Sequence, residues 1–383
     1  MPHWKNASFP WNPSLKNEVE ALRLATTSYE DKEFSAALDV EAYTRACAFL
    51  NGVKTYHNHP YQRVVGDVAT IWQDGETRLL DYGGSDDGPV VLAVPSLINK
   101  SYILDLNEDQ SFMRYVAQHG LRSFLIDWGD VGTAEKTMGL EDYVMGRLNR
   151  CLDEVIKQTG RPVCLVGYCM GGVLTTALTV MEPDKVAGLV LMATPWDFHA
   201  GQGRHKQVIQ AYQLQLRSII NMMGVLPIDV IQALFAAIDP YGILQKFERF
   251  SKMVPDSLEA QKFVAMEDWL NDAVPLSGPV AEECLFDWYI DNRPVSGKWE
   301  MDGHFIDPQD IICPTLLFVP EKDRIVPVES ALALAPLIQN AKVEKLPAGH
   351  IGMVTGRKAK EALYLPLCKW LLSHDFSKIT KMP

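Results

Sequence analysis

Residues 163–172 read VCLVGYCMGG: a short apolar run that ends in a cysteine framed by glycines. The run has the length and bounds of a buried strand, and the stretch after it, GGVLTTALTVM, reads as a helix. Strand, tight turn and helix in that order are the setting of a nucleophile elbow. Glycines at 167, 171 and 172 suit a sharp turn at which strand and helix backbones approach closely. Cys169 then falls at a helix N-terminus, where the dipole and free N–H groups favour a thiolate. The N–H of Met170 supplies one half of an oxyanion hole. The competing reading, a merely buried cysteine beside a glycine turn, explains the turn but not the whole frame.

Around this stretch the chain alternates. PVVLAVPS, LRSFLIDWG, PVCLV and VAGLVLMATPWD read as strands, separated by helices such as SFMRYVAQHG and LEDYVMGRLNRCLDEVIKQTG. Strands alternating with helices imply a parallel sheet with right-handed crossovers. Upstream, VGDVATIWQDGETRLLDYG is two alternating runs joined by Asp-Gly, the signature of a hairpin at an antiparallel edge. Between Phe198 and about Asp310 alternation stops, and the segment is helical and rich in Met and aromatics. It resumes with CPTLLFVPEKD, the helix VESALALAPLIQN, AKVEKLPAGH and a last helix ending KWLLSHD. This is the layout of an α/β-hydrolase fold: a mostly parallel sheet flanked by helices, with a helical cap insertion. The expected organisation is an N-terminal helical arm and edge hairpin over 1–85, a core over 86–197 and 311–383, and a cap or lid over 198–310.

A thiol needs a base and an orienting acid, which this fold supplies in the order nucleophile, acid, histidine, each after a later strand. TLLFVPEKD places Asp323 past one strand and KLPAGH places His350 past the next. Glu321 competes for the acid but sits closer to its strand. The second oxyanion donor is expected from the loop VPSLINKSY, at the N–H of Leu97 or Ile98. Among the other histidines, His57, His59, His3 and His374 lie in a turn or at the termini, His119 at a helix end and His304 in a turn. His199 and His205 flank the insertion and could line its entrance. None has metal-ligand spacing, and Cys164 with Cys169 is strand alternation rather than a zinc or redox pair.

The net charge of −12 argues against a nucleic-acid or anionic-membrane partner, which would need clustered Lys and Arg. MPHWKNASFPWNPSLKNEVE has neither signal-peptide nor transit-peptide character, and no apolar stretch is long enough for a membrane span. Seven cysteines without framework spacing suit a reducing compartment, with the cytoplasm as the expected location.

VPSLINKSYILDLNEDQSFMRYVAQHGLRSFLIDWGD resembles a segment of the polyhydroxyalkanoate synthases: P-x-[LI]-[IV]-N-[KR]-x-[YF], an Ile/Leu-Asp-Leu turn, a helix and a strand ending in [DS]-W. GYCMGG resembles their G-x-C-x-G-G box, the more specific of the two. PTLLFVPEKDRIVP and PAGHIGMV resemble the stretches carrying their aspartate and histidine. The resemblance runs from about Val90 to Leu372 and is strongest to the shorter, class III synthases that work with a second subunit. It implies Cys169 as nucleophile, Asp323 as acid and His350 as base, with no cofactor. The implied substrate is a 3-hydroxyacyl-CoA and the product a polyester; the implied partners are a second synthase subunit or a second copy, and the polyester granule surface. One departure stands out: the family usually has histidine after the aspartate, and this chain has Arg324. The same triad also fits a cysteine hydrolase of esters or thioesters, or a granule-bound homologue without activity. In the transferase reading, Met222, Met223, Trp269, Trp288 and Tyr289 of the insertion line an acyl tunnel; in the plainer one they are the insertion's own core.

Overall fold

The computed structural model describes residues 16–201, 204–237 and 241–376. The start of the expected N-terminal arm, with His3, therefore lies outside the described residues. Two compact units emerge: one takes 16–60 with 241–261, the other 61–237 with 262–376. Residues 241–261 of the expected cap thus cluster with the N-terminal helices, and the edge hairpin of the expected arm clusters with the core. In the smaller unit the long helix Asp31–His57 packs on the helix Gly242–Phe250, with the Phe49 and Phe247 rings edge to face at 6.0 Å. His59 Nε2 bonds the Pro255 carbonyl at 2.8 Å within the same unit.

The larger unit is built on eight strands: β1 (Ala69–Asp74), β2 (Thr77–Gly84), β3 (Val90–Val94), β4 (Arg122–Asp127), β5 (Val163–Tyr168), β6 (Val186–Met192), β7 (Thr315–Pro320) and β8 (Ala341–Leu346). Their order is β1-β2-β4-β3-β5-β6-β7-β8. β1 and β2 form the antiparallel hairpin, turning at Gly75 with φ 58°, and β2 runs antiparallel to β4. All later neighbours are parallel. Strands β3, β5, β6 and β7 are buried along their whole length, as their near-continuous apolar runs require of a sheet covered on both faces. Each such Val or Leu contributes about 1.5–3 kcal/mol by leaving water.

Two helices differ from the sequence expectation. LEDYVMGRL is wound as a π-helix over Asp142–Leu148 before the α-helix Asn149–Thr159 begins. The helix expected over VESALALAPLIQN spans only Val328–Leu332. Pro336 explains the stop: it brings no N–H, and its ring clashes with the carbonyl four residues earlier, at Leu332. Among the described residues no helix is long and apolar enough to cross a membrane.

Candidate active site

The turn after β5 carries Cys169 at φ 55°, ψ −125°, a left-handed conformation in a residue that is not glycine. The surroundings hold it there. Cys169 N–H donates to the Met192 carbonyl at the end of β6, at 2.8 Å, and its own carbonyl accepts from Gly172 N–H at 2.9 Å. A Cβ on Gly171 would run into the Val94 carbonyl oxygen and lie 2.6 Å from that of Pro95; one on Gly172 would strike Thr194 Oγ1. The glycines thus let the helix Met170–Met181 start directly against the end of β3. Met170 is its first residue, so its N–H has no acceptor within the helix.

The same close approach brings in the loop after β3. Trp128 Nε1 donates to the Pro95 carbonyl at 3.0 Å, and Asp127 accepts Ser101 Oγ at 2.9 Å, so the Asp-Trp pair at the end of β4 fixes that loop at two points. Ile98 N–H donates to Ser96 Oγ at 3.2 Å, which occupies one of the two expected oxyanion donors and leaves Leu97 as the candidate. Leu97 itself is buried.

Asp323 follows β7 and His350 follows β8, as their spacing from the strands requires. His350 Nδ1 bonds Asp323 Oδ2 at 2.6 Å. The other carboxylate oxygen, Oδ1, accepts from the backbone N–H groups of Ile325 and Val326 at 2.8 and 2.9 Å, so the turn itself orients the acid. Glu321 is exposed and its N–H is paired with the Leu346 carbonyl; Asp323 is the partner of the histidine. Burial pushes the His350 pKa down, but the charge of Cys169 and hydrogen bonds to Asp323 and Cys169 outweigh it and push it up to about 10. That shift favours the protonated imidazolium form of His350. Arg324, the departure noted above, is exposed.

Several neighbours were not legible beforehand. Tyr168, the variable residue of the elbow, stacks its ring on His350 at 5.3 Å and donates its hydroxyl to the His350 carbonyl at 3.1 Å. Tyr289 of the insertion is half-buried; burial, then the charges of Cys169 and Cys284, push its pKa up. The Tyr289 ring meets those of Phe198 at 5.0 Å and His205 at 5.7 Å. The remaining tunnel candidates divide. Trp288 is buried against Phe198 and Trp299, and Trp269 is buried with Nε1 on the Lys100 carbonyl at 2.8 Å. Met222 and Met223 are exposed, and the residues that the helix Gln213–Met223 buries are Leu216 and Ile220. Among the described residues no cluster of His, Cys, Asp and Glu could hold a metal ion.

A family model described as the alpha/beta hydrolase fold matches residues 89–356, so this fold and elbow define a member of the α/β-hydrolases. Within them, the chain belongs to the family of poly(3-hydroxyalkanoate) polymerase subunits. It is 30% identical over 316 residues to the subunit PhaC of Allochromatium vinosum, which covers 80% of this chain and 88% of that one. The subunit from Synechocystis sp. is 29% identical over 79% of this chain and 83% of its own. For that of Haloarcula marismortui the figures are 29%, 95% and 77%. The solved monoacylglycerol lipase of Paleococcus ferrophilus aligns at a TM-score of 0.49 and 17% identity, over 78% of this chain and 100% of that one.

Proposed function

We propose that the protein is an acyltransferase that polymerises 3-hydroxyacyl-CoA into polyhydroxyalkanoate through a thioester on Cys169. The observation that carries this reading is the cysteine in the elbow beside a His350–Asp323 hydrogen-bonded pair, with the His350 pKa raised to favour its protonated form. In the first step the Cys169 thiolate bonds to the acyl carbonyl carbon, and the C–S bond to CoA breaks. The CoA sulfur leaves with the proton of the His350 imidazolium. In the second step the hydroxyl oxygen of another hydroxyacyl unit attacks the Cys169 thioester. His350 takes the hydroxyl proton, Cys169 departs as thiolate, and the starting ion pair returns. Asp323 keeps Nδ1 protonated throughout, so that Nε2 faces the chemistry. The N–H groups of Met170 and Leu97 hold the oxyanion in both steps, a role worth about 10²–10³ in rate for each donor.

The thiol has a chemical reason in this scheme. Exchanging one thioester for another keeps the acyl group activated, and transfer to a hydroxyl is then downhill. A serine would discard the activation in the first step. The partners that fit are the acyl-CoA, the growing polyester at a granule surface in the cytoplasm, and a second synthase subunit or a second copy of this chain.

The test is incubation with 3-hydroxybutyryl-CoA while CoA release and acyl product are both followed. Oligomer or polymer is expected, and Cys169→Ala should abolish CoA release. Free 3-hydroxybutyrate as the sole product would replace the transferase reading with a cysteine hydrolase. No CoA release, with or without an added partner subunit, would leave a granule-binding role.

A further inference from the structure

A second imidazole lies beside this cluster, and no step above uses it. His205 stands in the first turn of the helix Arg204–Ala211, its ring 5.7 Å from that of Tyr289. Its Nε2 is buried and has no hydrogen-bond partner among the described residues. A buried polar nitrogen is rarely left so, and where it is, a ligand is a standing explanation. The neighbouring His199 makes the contrast. Its Nε2 faces the carbonyls of Tyr289 and Ile290, each at 3.1 Å, and is fully engaged in holding the insertion.

Three observations put His205 at the reacting centre. Tyr289, its ring neighbour, feels the charge of Cys169. His205 itself feels the charge of Asp323. Upstream of it, residues 197–201 run along the turn after Asp323: a Cβ on Gly201 would run into the Pro327 ring, and Asp197 N–H reaches the Ser330 carbonyl. Burial pushes the His205 pKa down, against the pull of Asp323, which favours the neutral ring. A neutral imidazole nitrogen suits an uncharged hydroxyl, to which it can donate or from which it can accept.

We propose that His205 Nε2 binds the 3-hydroxyl of the acyl group carried on Cys169, and so selects 3-hydroxyacyl thioesters over plain acyl thioesters. The proposal deepens the transferase reading and rests on it. A site that leaves a buried polar group unpaired discriminates against the analogue lacking its partner.

The experiment measures acylation of Cys169, by CoA release and intact mass, with 3-hydroxybutyryl-CoA and with butyryl-CoA. The full-length protein is compared with His205→Asn and His205→Gln, both polar replacements. Glutamine keeps a nitrogen where Nε2 lies; asparagine keeps one only where Nδ1 lies. The wild type is expected to prefer the hydroxylated thioester by about tenfold or more. The ratio should collapse to about one in His205→Asn and survive in large part in His205→Gln. Because the readout is a ratio, a general loss of active protein does not move it. A wild-type ratio near one, or equal ratios in the two variants, overturns the proposal. Wild type that releases CoA from neither thioester overturns the transferase reading instead.

Discussion

The Cys169 elbow and the π-helical segment Glu283–Ile290 both bring side chains to one centre, but they are held by different forces. At the elbow the backbone decides. Main-chain oxygens of Val94 and Pro95 sit where a Cβ on Gly171 would go, and no rotamer can relieve that. In the π-helical segment side chains decide. Trp299 Nε1 donates to Glu283 at 2.7 Å, Arg217 pairs with Glu282 and lies over the Phe286 ring, and Trp288 packs on Trp299. The first kind of order is insensitive to solvent conditions. The second depends on the charge state of what is buried, and substitutions can tell the two apart.

Short of removing the nucleophile itself, the largest effect is expected where backbone and chemistry coincide, at Asp323. In Asp323→Asn the amide oxygen can keep both bonds from Ile325 and Val326 N–H, which turns the amide NH₂ towards His350 Nδ1. Nδ1 must then accept, the proton moves to Nε2, and the neutral ring cannot act as base. CoA release should fall about 10³–10⁴-fold with the melting temperature nearly unchanged. A loss below tenfold would mean that Asp323 only scaffolds its turn. Next comes Gly171→Ala, which forces the end of β3 away from the elbow and should cost about 3 kcal/mol or more in a denaturant melt. That penalty should be the same at pH 5 and pH 8.

The π-helical segment should behave otherwise. Burial lifts the Glu283 pKa from 4.5 to about 7, against the Trp299 hydrogen bond, with Asp287 adding to the rise. Its folded pKa is above the unfolded one, so the folded state keeps the proton after the unfolded chain has lost it. Stability from this group is complete below about pH 4.5 and is lost as pH rises through about 7. The loss amounts to about 3 kcal/mol at most. Glu283→Gln should remove this slope and leave the variant more stable than wild type at pH 8. Parallel stability curves for the two proteins between pH 4.5 and 8 would show that Glu283 is not held neutral.

The same contrast explains what could be read in advance. Glycine spacing at 167, 171 and 172 is a record of close approaches, to backbone at 167 and 171 and to the Thr194 side chain at 172, and such collisions leave their mark in sequence. Asp323 and His350 were legible because each follows its strand in chain order. The insertion was not legible in this way. A π-helix shifts the face that each residue presents, so α-helical spacing does not tell that Tyr289 meets His205 and Phe198. Met222 and Met223 look like tunnel residues by type, yet Leu216 and Ile220 are the ones their helix buries. Ser96, whose hydroxyl takes the Ile98 N–H, acts over two residues and leaves no periodic trace.

Tyr168 offers the smallest expected effect and the finest test, because it combines both kinds of order. Its backbone belongs to the elbow, while its hydroxyl reaches the His350 carbonyl at 3.1 Å and its ring stacks on the imidazole. Tyr168→Phe keeps the stacking and removes only that hydrogen bond, leaving a buried carbonyl without its partner. The cost should be about 1–2 kcal/mol in stability. If the bond merely staples the His350 loop to β5, CoA release should change less than about threefold at temperatures where the variant is folded. If instead it fixes the imidazole in register with Cys169, the rate should fall by about tenfold, since small displacements of a base are costly. The close pairing of His350 Nδ1 with Asp323 favours the first outcome, because the ring is already held from its other side.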